Sequence, residues 1–319
     1  MHLDARTASR WLQIRLARDN RATQMPIRAR RQLFRALLAV AALGPCRAGV
    51  ARAEWLAPLT VETPQTIPGG TIDLALGASY YHNLRFPAFT PPGYINWQNL
   101  IAVPAFGVRA GVGGMVEIQA SYELLDLNES TTDGAHHTYG GGDARLFTKI
   151  YVVRERTWIP AMGLRFGTKL PDANVDQRLG TDETDFFIQW LGSKQIGSFT
   201  ANVNLGIALL GNPGFDPQNP RGQDDLITWA VGVTSPTLGA HTPEEWGVRF
   251  LAEFAGATGS RLDFGNDGAA FRTGLQALYG PWTLYAGASA GLYGAAEQYG
   301  VMGGVIYAFE LERLAALFE

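Results

Sequence analysis

Cysteine is nearly absent: Cys46 is the single one among 319 residues, and it falls in an N-terminal targeting region. The chain beyond that region therefore has no disulfide and no thiol chemistry. Long apolar runs are missing too. After the targeting region none reaches fifteen residues, which excludes helical membrane spans. Neither charge dominates, with 26 Lys and Arg against 29 Asp and Glu, so no basic surface points to nucleic acid.

The targeting region itself is legible. Arg28, Arg30, Arg31 and Arg35 form a basic stretch, and Ala36–Gly44 is a short apolar core. Ala51-Arg52-Ala53 then reads as a cleavage site, so the mature chain is expected to begin at Glu54. The residues before Met25 are long and polar for such a signal, and Met25 is the expected true start. Cys46 as a lipoprotein anchor is disfavoured by Pro45 before it, which leaves it a residue removed with the signal.

What the chain has is glycine, with 38 residues, abundant aromatics and a rhythm. Twelve stretches of ten to twelve residues capable of apolar–polar alternation fill 71–309. Their connectors alternate long and short: 82–97, 126–141, 170–183, 211–223 and 257–268 are long, while 110–113, 154–157, 195–198 and 280–281 are short. The last connector is 292–297, and 235–245 departs from the rule, being long on the short side and suited to a small excursion. Outer-membrane β-barrels have tight turns at one end and longer loops at the other. A soluble sandwich has no reason to lengthen every second connector. The expected fold is all-β: a single antiparallel transmembrane barrel of twelve strands, with periplasmic turns short and extracellular loops long.

Parity assigns the two faces, because successive side chains in a strand point opposite ways. In 114–125, Val116, Ile118, Ala120, Tyr122 and Leu124 oppose Glu117, Gln119, Ser121 and Glu123. Leu146, Ile150 and Val152 oppose Asp143, Arg145 and Lys149; Phe199, Val203, Leu205, Ile207 and Leu209 oppose Thr200, Asn202 and Asn204. The apolar set must face lipid, where charge costs a few kcal/mol near the midplane. If the first strand leaves the periplasm, Trp158, Trp190, Phe199, Trp246, Tyr279, Trp282, Tyr307 and Phe309 fall near periplasmic ends. Tyr80, Tyr122, Phe166, Phe186, Phe254, Phe271 and Tyr299 then fall near external ends. One orientation thus yields two interfacial aromatic girdles, as amphipathic rings at headgroup level require. Chance is the weaker explanation, since the ends and the parity agree.

The inward set collects Arg109, Arg145, Lys149, Arg165, Lys169, Arg249 and Arg272 against Asp73, Glu117, Glu123, Asp143, Asp185 and Glu253. Two readings stand at even weight. These charges pair to hold the wall rigid, or they form the filter of a selective pore. Pro104 falls mid-strand in 98–109, where a missing N–H predicts a bulge or break. Glu54–Gly70, rich in Pro and Thr and aperiodic, is expected to lie in the periplasm or to enter the lumen as a partial plug.

Catalytic and metal readings are poor. His82, His136, His137 and His241 are all expected in connectors, with no serine-based constellation around them. Adjacent histidines without carboxylate support are more often a solvated pair than a metal site. Asp172, Asp176, Asp182, Glu183 and Asp185 make an acidic loop whose spacing is not that of a calcium loop. Gly140-Gly141-Gly142 precedes a strand, so a phosphate cradle fails. No enzyme activity, metal or cofactor is expected.

The segment APLTVETPQTIPGGTIDLALGASYY at 57–81 resembles the lead-in and first strand of the outer-membrane transporter family associated with meta-pathway phenol degradation. GGDARLFTKIYV at 141–152, GTKLP at 167–171 and LGTDETDFFIQWLGSKQIGSFTANVNLGIALLGNP at 179–213 resemble further blocks of that family. The likeness covers most of 57–213 and is loose over 214–319. It implies a barrel passing small, often hydrophobic or aromatic molecules. One departure is the end: Phe309 closes the last strand and LERLAALFE follows, read as a tail at 310–319.

The expectation is therefore a passive channel in a Gram-negative outer membrane. Its partners are the lipid bilayer with lipopolysaccharide, the barrel-assembly machinery and a small-molecule solute. The alternative is a closed structural or surface-interaction barrel whose function lies in 82–97, 126–141 and 170–183. An outer-membrane enzyme is a distant third.

Overall fold

A computed structural model describes residues 55–85, 97–131, 134–174, 177, 179–211, 225–239, 242, 244–259 and 267–311. The signal region, Met25, Cys46, Asp176, His241 and most of the 310–319 tail lie outside these residues.

Among the described residues thirteen strands follow in order: β1 (Thr71–Arg85), β2 (Trp97–Val112), β3 (Val116–Thr131), β4 (Gly134–Gly141), β5 (Ala144–Val153), β6 (Ala161–Leu170), β7 (Asp185–Ile196), β8 (Phe199–Leu209), β9 (Leu226–Thr234), β10 (Gly247–Gly259), β11 (Gly268–Tyr279), β12 (Trp282–Gly294) and β13 (Tyr299–Glu310). Each is antiparallel to its neighbour, and β1 pairs with both β13 and β2, so the sheet closes on itself. Closure leaves no row of unpaired backbone groups for lipid to face. The wall has twelve positions, because β4 and β5 share one. Val116–Ser121 of β3 pairs with β5, and Leu124–Thr131 pairs with β4. The break falls at Gly142, whose N–H donates to the Glu123 carbonyl at 2.9 Å.

That extra strand corrects the expected connector 126–141. Most of it is β-hairpin, formed by the outer part of β3 with β4. β1, β2 and β3 run 15, 16 and 16 residues rather than ten to twelve. At about 3.3 Å per residue they outreach the other strands of the wall, so their outer ends form a ridge on that rim of the barrel. His82, His136 and His137 accordingly lie in β1 and β4, not in connectors. His82 stacks on Tyr299 with centroids 4.7 Å apart, and His137 meets Asp126 at 3.0 Å.

Pro104 does sit at an irregularity. Val103 and Pro104 together oppose a single residue on each side, between Gly77 and Ser79 of β1 and between Leu125 and Glu123 of β3. The extra residue flips parity: inward positions are odd below it, as at Arg109, and even above it, as at the buried Ala102. The 235–245 connector carries one further bridge, Leu238 to Val248. Turns at the short end use glycine where the backbone turns left-handed, as at Gly197 (φ 61°) and Gly280 (φ 52°).

The outer surface follows the expected parity. In β8 Phe199, Val203, Leu205, Ile207 and Leu209 are exposed while Asn202 and Asn204 are buried. Among the girdle residues Trp190, Trp246, Tyr122, Phe166, Phe186, Phe254 and Tyr299 are exposed, and Tyr80, Tyr279, Trp282, Phe309 and Phe271 are half-buried. Tyr307 is nearly covered because Trp282 and Phe309 stack against it, at 4.5 and 6.3 Å. Trp158 is not in the wall at all. It projects from the β5–β6 connector and is 92 % exposed, since the strands end earlier than the alternation suggests.

Candidate functional site: the filled lumen

Residues 55–70 lie inside the barrel, in the half nearer the short turns. Pro58, Pro64 and Pro68 have no N–H to place. The donors that remain find side chains of the wall instead of a strand partner. Glu253 of β10 accepts from the Thr60 and Val61 N–H groups at 2.9 and 2.7 Å, and from the Thr60 hydroxyl at 2.8 Å. Asn204 of β8 accepts from Glu62 N–H at 2.7 Å and donates to the Glu62 carbonyl at 2.8 Å. Glu117 of β3 accepts from Ile67 N–H at 3.0 Å, and Gln276 of β11 donates to the carbonyls of Trp55 and Ala57. Four strands of the barrel thus hold one irregular segment, and side chains rather than a strand partner receive these backbone groups.

Apolar packing supports it. Leu56, Leu59 and Val61 cluster with Ala230, Leu251 and Ala255 of β9 and β10. Leu56, Val61 and Ile67 are each only 2 % exposed, which is worth about 1.5–3 kcal/mol apiece. Inward glycines make the space. A Cβ on Gly107 would stand 2.6 Å from the Trp55 ring, and one on Gly111 would run into the carbonyls of Ile67 and Pro68.

The opposite flank of the segment is electrostatic. Glu62 pairs with Arg109 at 2.7 Å and Lys149 at 3.6 Å; Glu117 pairs with Lys149 at 3.1 Å and Arg109 at 3.7 Å. Arg109 also lies over the Trp55 ring at 4.0 Å. Burial alone would raise the Glu62 carboxyl, but the charges of Arg109, Lys149 and Arg165 outweigh it and hold it down at about 2. Arg165 donates to Gln119 and Gln189, each at 2.9 Å, and lies 3.5 Å over the Phe147 ring.

A second group sits toward the long loops. Lys169 meets Asp185 at 2.8 Å, Asp143 at 3.2 Å and the Thr181 hydroxyl at 2.7 Å. Asp143 also accepts from Ala173 N–H at 3.0 Å. These contacts draw the β6–β7 loop inward, where Ala173 and Leu179 pack on Leu127, Leu100 and Leu125. Asp185 also accepts from Gly211 N–H at 2.9 Å. No cluster of three or more His, Cys, Asp or Glu suited to a metal occurs among the described residues.

The third group is Arg272, 3.2 Å from Glu253 and 3.5 Å from Glu297. Arg249 donates to Gln276 at 2.7 Å. Of the other residues expected to line the lumen, Asp73 is buried, Glu123 half-buried and Arg145 exposed. That set joins inward parity with charge. It passed over Asn204 and Gln276, which parity does turn inward, and also Glu62, Thr181 and Glu297, which stand outside regular strands.

No family model matches the chain, and no curated protein matches it. Among solved structures, an outer-membrane channel from Pseudomonas putida F1 superposes with a TM-score of 0.54 at 13% identity, over 77% of this chain and 97% of that one. The NanC porin (TM-score 0.45, 10% identity, 73% and 98%) and the translocator domain of the autotransporter NalP from Neisseria meningitidis (0.46, 15%, 75% and 88%) are looser. The likeness is one of fold: a closed outer-membrane-type β-barrel.

Proposed function

We propose that the chain is a channel of a Gram-negative outer membrane that passes small organic molecules, hydrophobic or aromatic ones among them, and that it is seen here closed. The observation that carries this is the way residues 55–70 are held. They fill the lumen through side-chain bonds to β3, β8, β10 and β11 and take no place in the wall. A segment bonded so can leave without opening the barrel. The apolar exterior favours the bilayer with lipopolysaccharide as surroundings and the assembly machinery as the route of insertion. No reaction is part of this proposal.

Deleting residues 55–69 tests it. In planar bilayers the deletion should raise single-channel conductance at least about tenfold, while the barrel still resists SDS until boiled. A folded deletion protein with unchanged conductance would refute the channel. A closed structural barrel has one observation in its favour: most inward charges are paired within the wall or with Glu62. It predicts no solute flux in proteoliposomes from either form.

A further inference from the structure

A cavity of about 320 Å³ remains in the lumen, bounded by Thr60 of the buried segment, by β8 to β11, by Gln189 of β7 and Leu84 of β1, and by the β12–β13 connector. Ala230, Ala255, Ala257, Ala269 and Ala270 form its wall, short side chains that leave the space open. About 150 Å³ of such space is enough for a six-membered ring, so one ring with a substituent fits. The polar end is made by Arg272 and Glu297. Glu297 comes from the β12–β13 connector, yet it is 4 % exposed, and its Oε1 is buried without a hydrogen bond. Its one charged contact, Arg272 at 3.5 Å, is already shared with Glu253 at 3.2 Å.

A carboxylate as buried as Glu297, with its one charged contact shared, is relieved by an O–H group brought to it. Two carboxylates facing one guanidinium repel an anion. An alanine wall favours an apolar body over a strongly hydrated one. We infer that this cavity is a binding site for a small uncharged alcohol, its ring or chain against the alanines and its hydroxyl donating to Glu297.

The probe is cyclohexanol, titrated calorimetrically into the full mature chain in lipid nanodiscs, with empty nanodiscs subtracted. Cyclohexanol should bind saturably and at least about fivefold tighter than cyclohexanecarboxylate or cyclohexylammonium. Ala255→Phe and Ala270→Phe, on different strands, should each abolish binding. Glu297→Gln should weaken it at least about threefold while the SDS-resistant fold is kept. Binding untouched by both phenylalanine variants, or tighter binding of either charged probe, would overturn the assignment. The titration needs no conduction. Saturable binding without flux would therefore leave the site standing and remove the channel; flux without binding would do the reverse.

Discussion

From β2 to β7 the inward positions carry Arg109, Glu117, Asp143, Lys149, Arg165, Lys169 and Asp185; from β8 to β12 they carry Asn204, Ala230, Gly232, Ala255, Ala270 and Gly274, with only Arg249, Glu253 and Arg272 charged. The first side grips. Its cations hold Glu62 of the buried segment and draw in the β6–β7 loop. The second side yields, with small residues that accept Leu56 and Val61 below and leave a cavity above. One lumen thus separates fastening from space: the segment sends Glu62 to the cations of the first side and packs Leu56, Leu59 and Val61 on the second.

Breaking the grip at its most buried point should have the largest effect. Lys149 is fully buried between Glu117 and Glu62. Lys149→Met would leave two buried carboxylates sharing Arg109, at a cost of about 3–5 kcal/mol. The expected outcome is a conductance close to that of the deletion lacking 55–69, together with a lower SDS-unfolding temperature. Wild-type values for both would show that the ion-pair cluster holds nothing.

Acid should act on the same cluster from the other partner. The Glu62 carboxyl lies at about 2 when docked, against 4.5 for the free group. Its contribution to docking is thus complete above pH 4.5 and is lost as pH falls through about 2, amounting to about 3 kcal/mol. The groups facing it are Arg109, Lys149, Arg165 and Glu117. Open probability in bilayers should rise on acidification below pH 4.5, and Glu62→Gln should be more open than wild type at pH 7 and flat across that range. An acid response of wild-type size in Glu62→Gln would place the titrating group elsewhere.

How far the sequence foretold this division depends on regularity. Wherever the ladder is unbroken, alternation alone separated Phe199 and Leu205 from Asn202 and Asn204, because one face must meet lipid. The signal failed where geometry departs from a period of two. At Pro104 two residues oppose one, so positions above it change face. Over β4, Gly134–Gly141, the residues His136, His137, Thr138 and Tyr139 give no alternation of apolar and polar to be read. Residues 55–70 have no period, so Glu62 could not be aimed at Arg109 from spacing; nor could Glu297, whose connector turns back into the barrel. Expecting a filter or a set of ion pairs treated the wall as complete, whereas its key anion comes from outside the wall.

The yielding side should respond more weakly to loss of its one strong anchor. Glu253→Gln keeps one oxygen acceptor of the two that receive the Thr60 and Val61 N–H groups, and it leaves Arg272 with Glu297 as its one carboxylate beside the Thr60 hydroxyl. Loss of a charged acceptor at such bonds costs about 1.5–3 kcal/mol, less than stranding two carboxylates. Flickering openings are expected rather than a stable open state.

The smallest effect should come from the loop. Lys169→Met removes the contacts to Asp143, Asp185 and the Thr181 hydroxyl, but the packing of Ala173 and Leu179 on Leu127 remains, and Asp143 and Asp185 keep the N–H groups of Ala173 and Gly211 as donors. A loss of about 1–2 kcal/mol, confined to loop docking, is the expected size. In the wild-type background such a variant should conduct no better, because residues 55–70 still fill the lumen. Combined with deletion of 55–69, it should raise conductance further, since the β6–β7 loop is then the remaining obstruction on the gripping side. Equal conductance for the deletion alone and for the deletion combined with Lys169→Met would mean that the loop, though fastened inward, does not narrow the path.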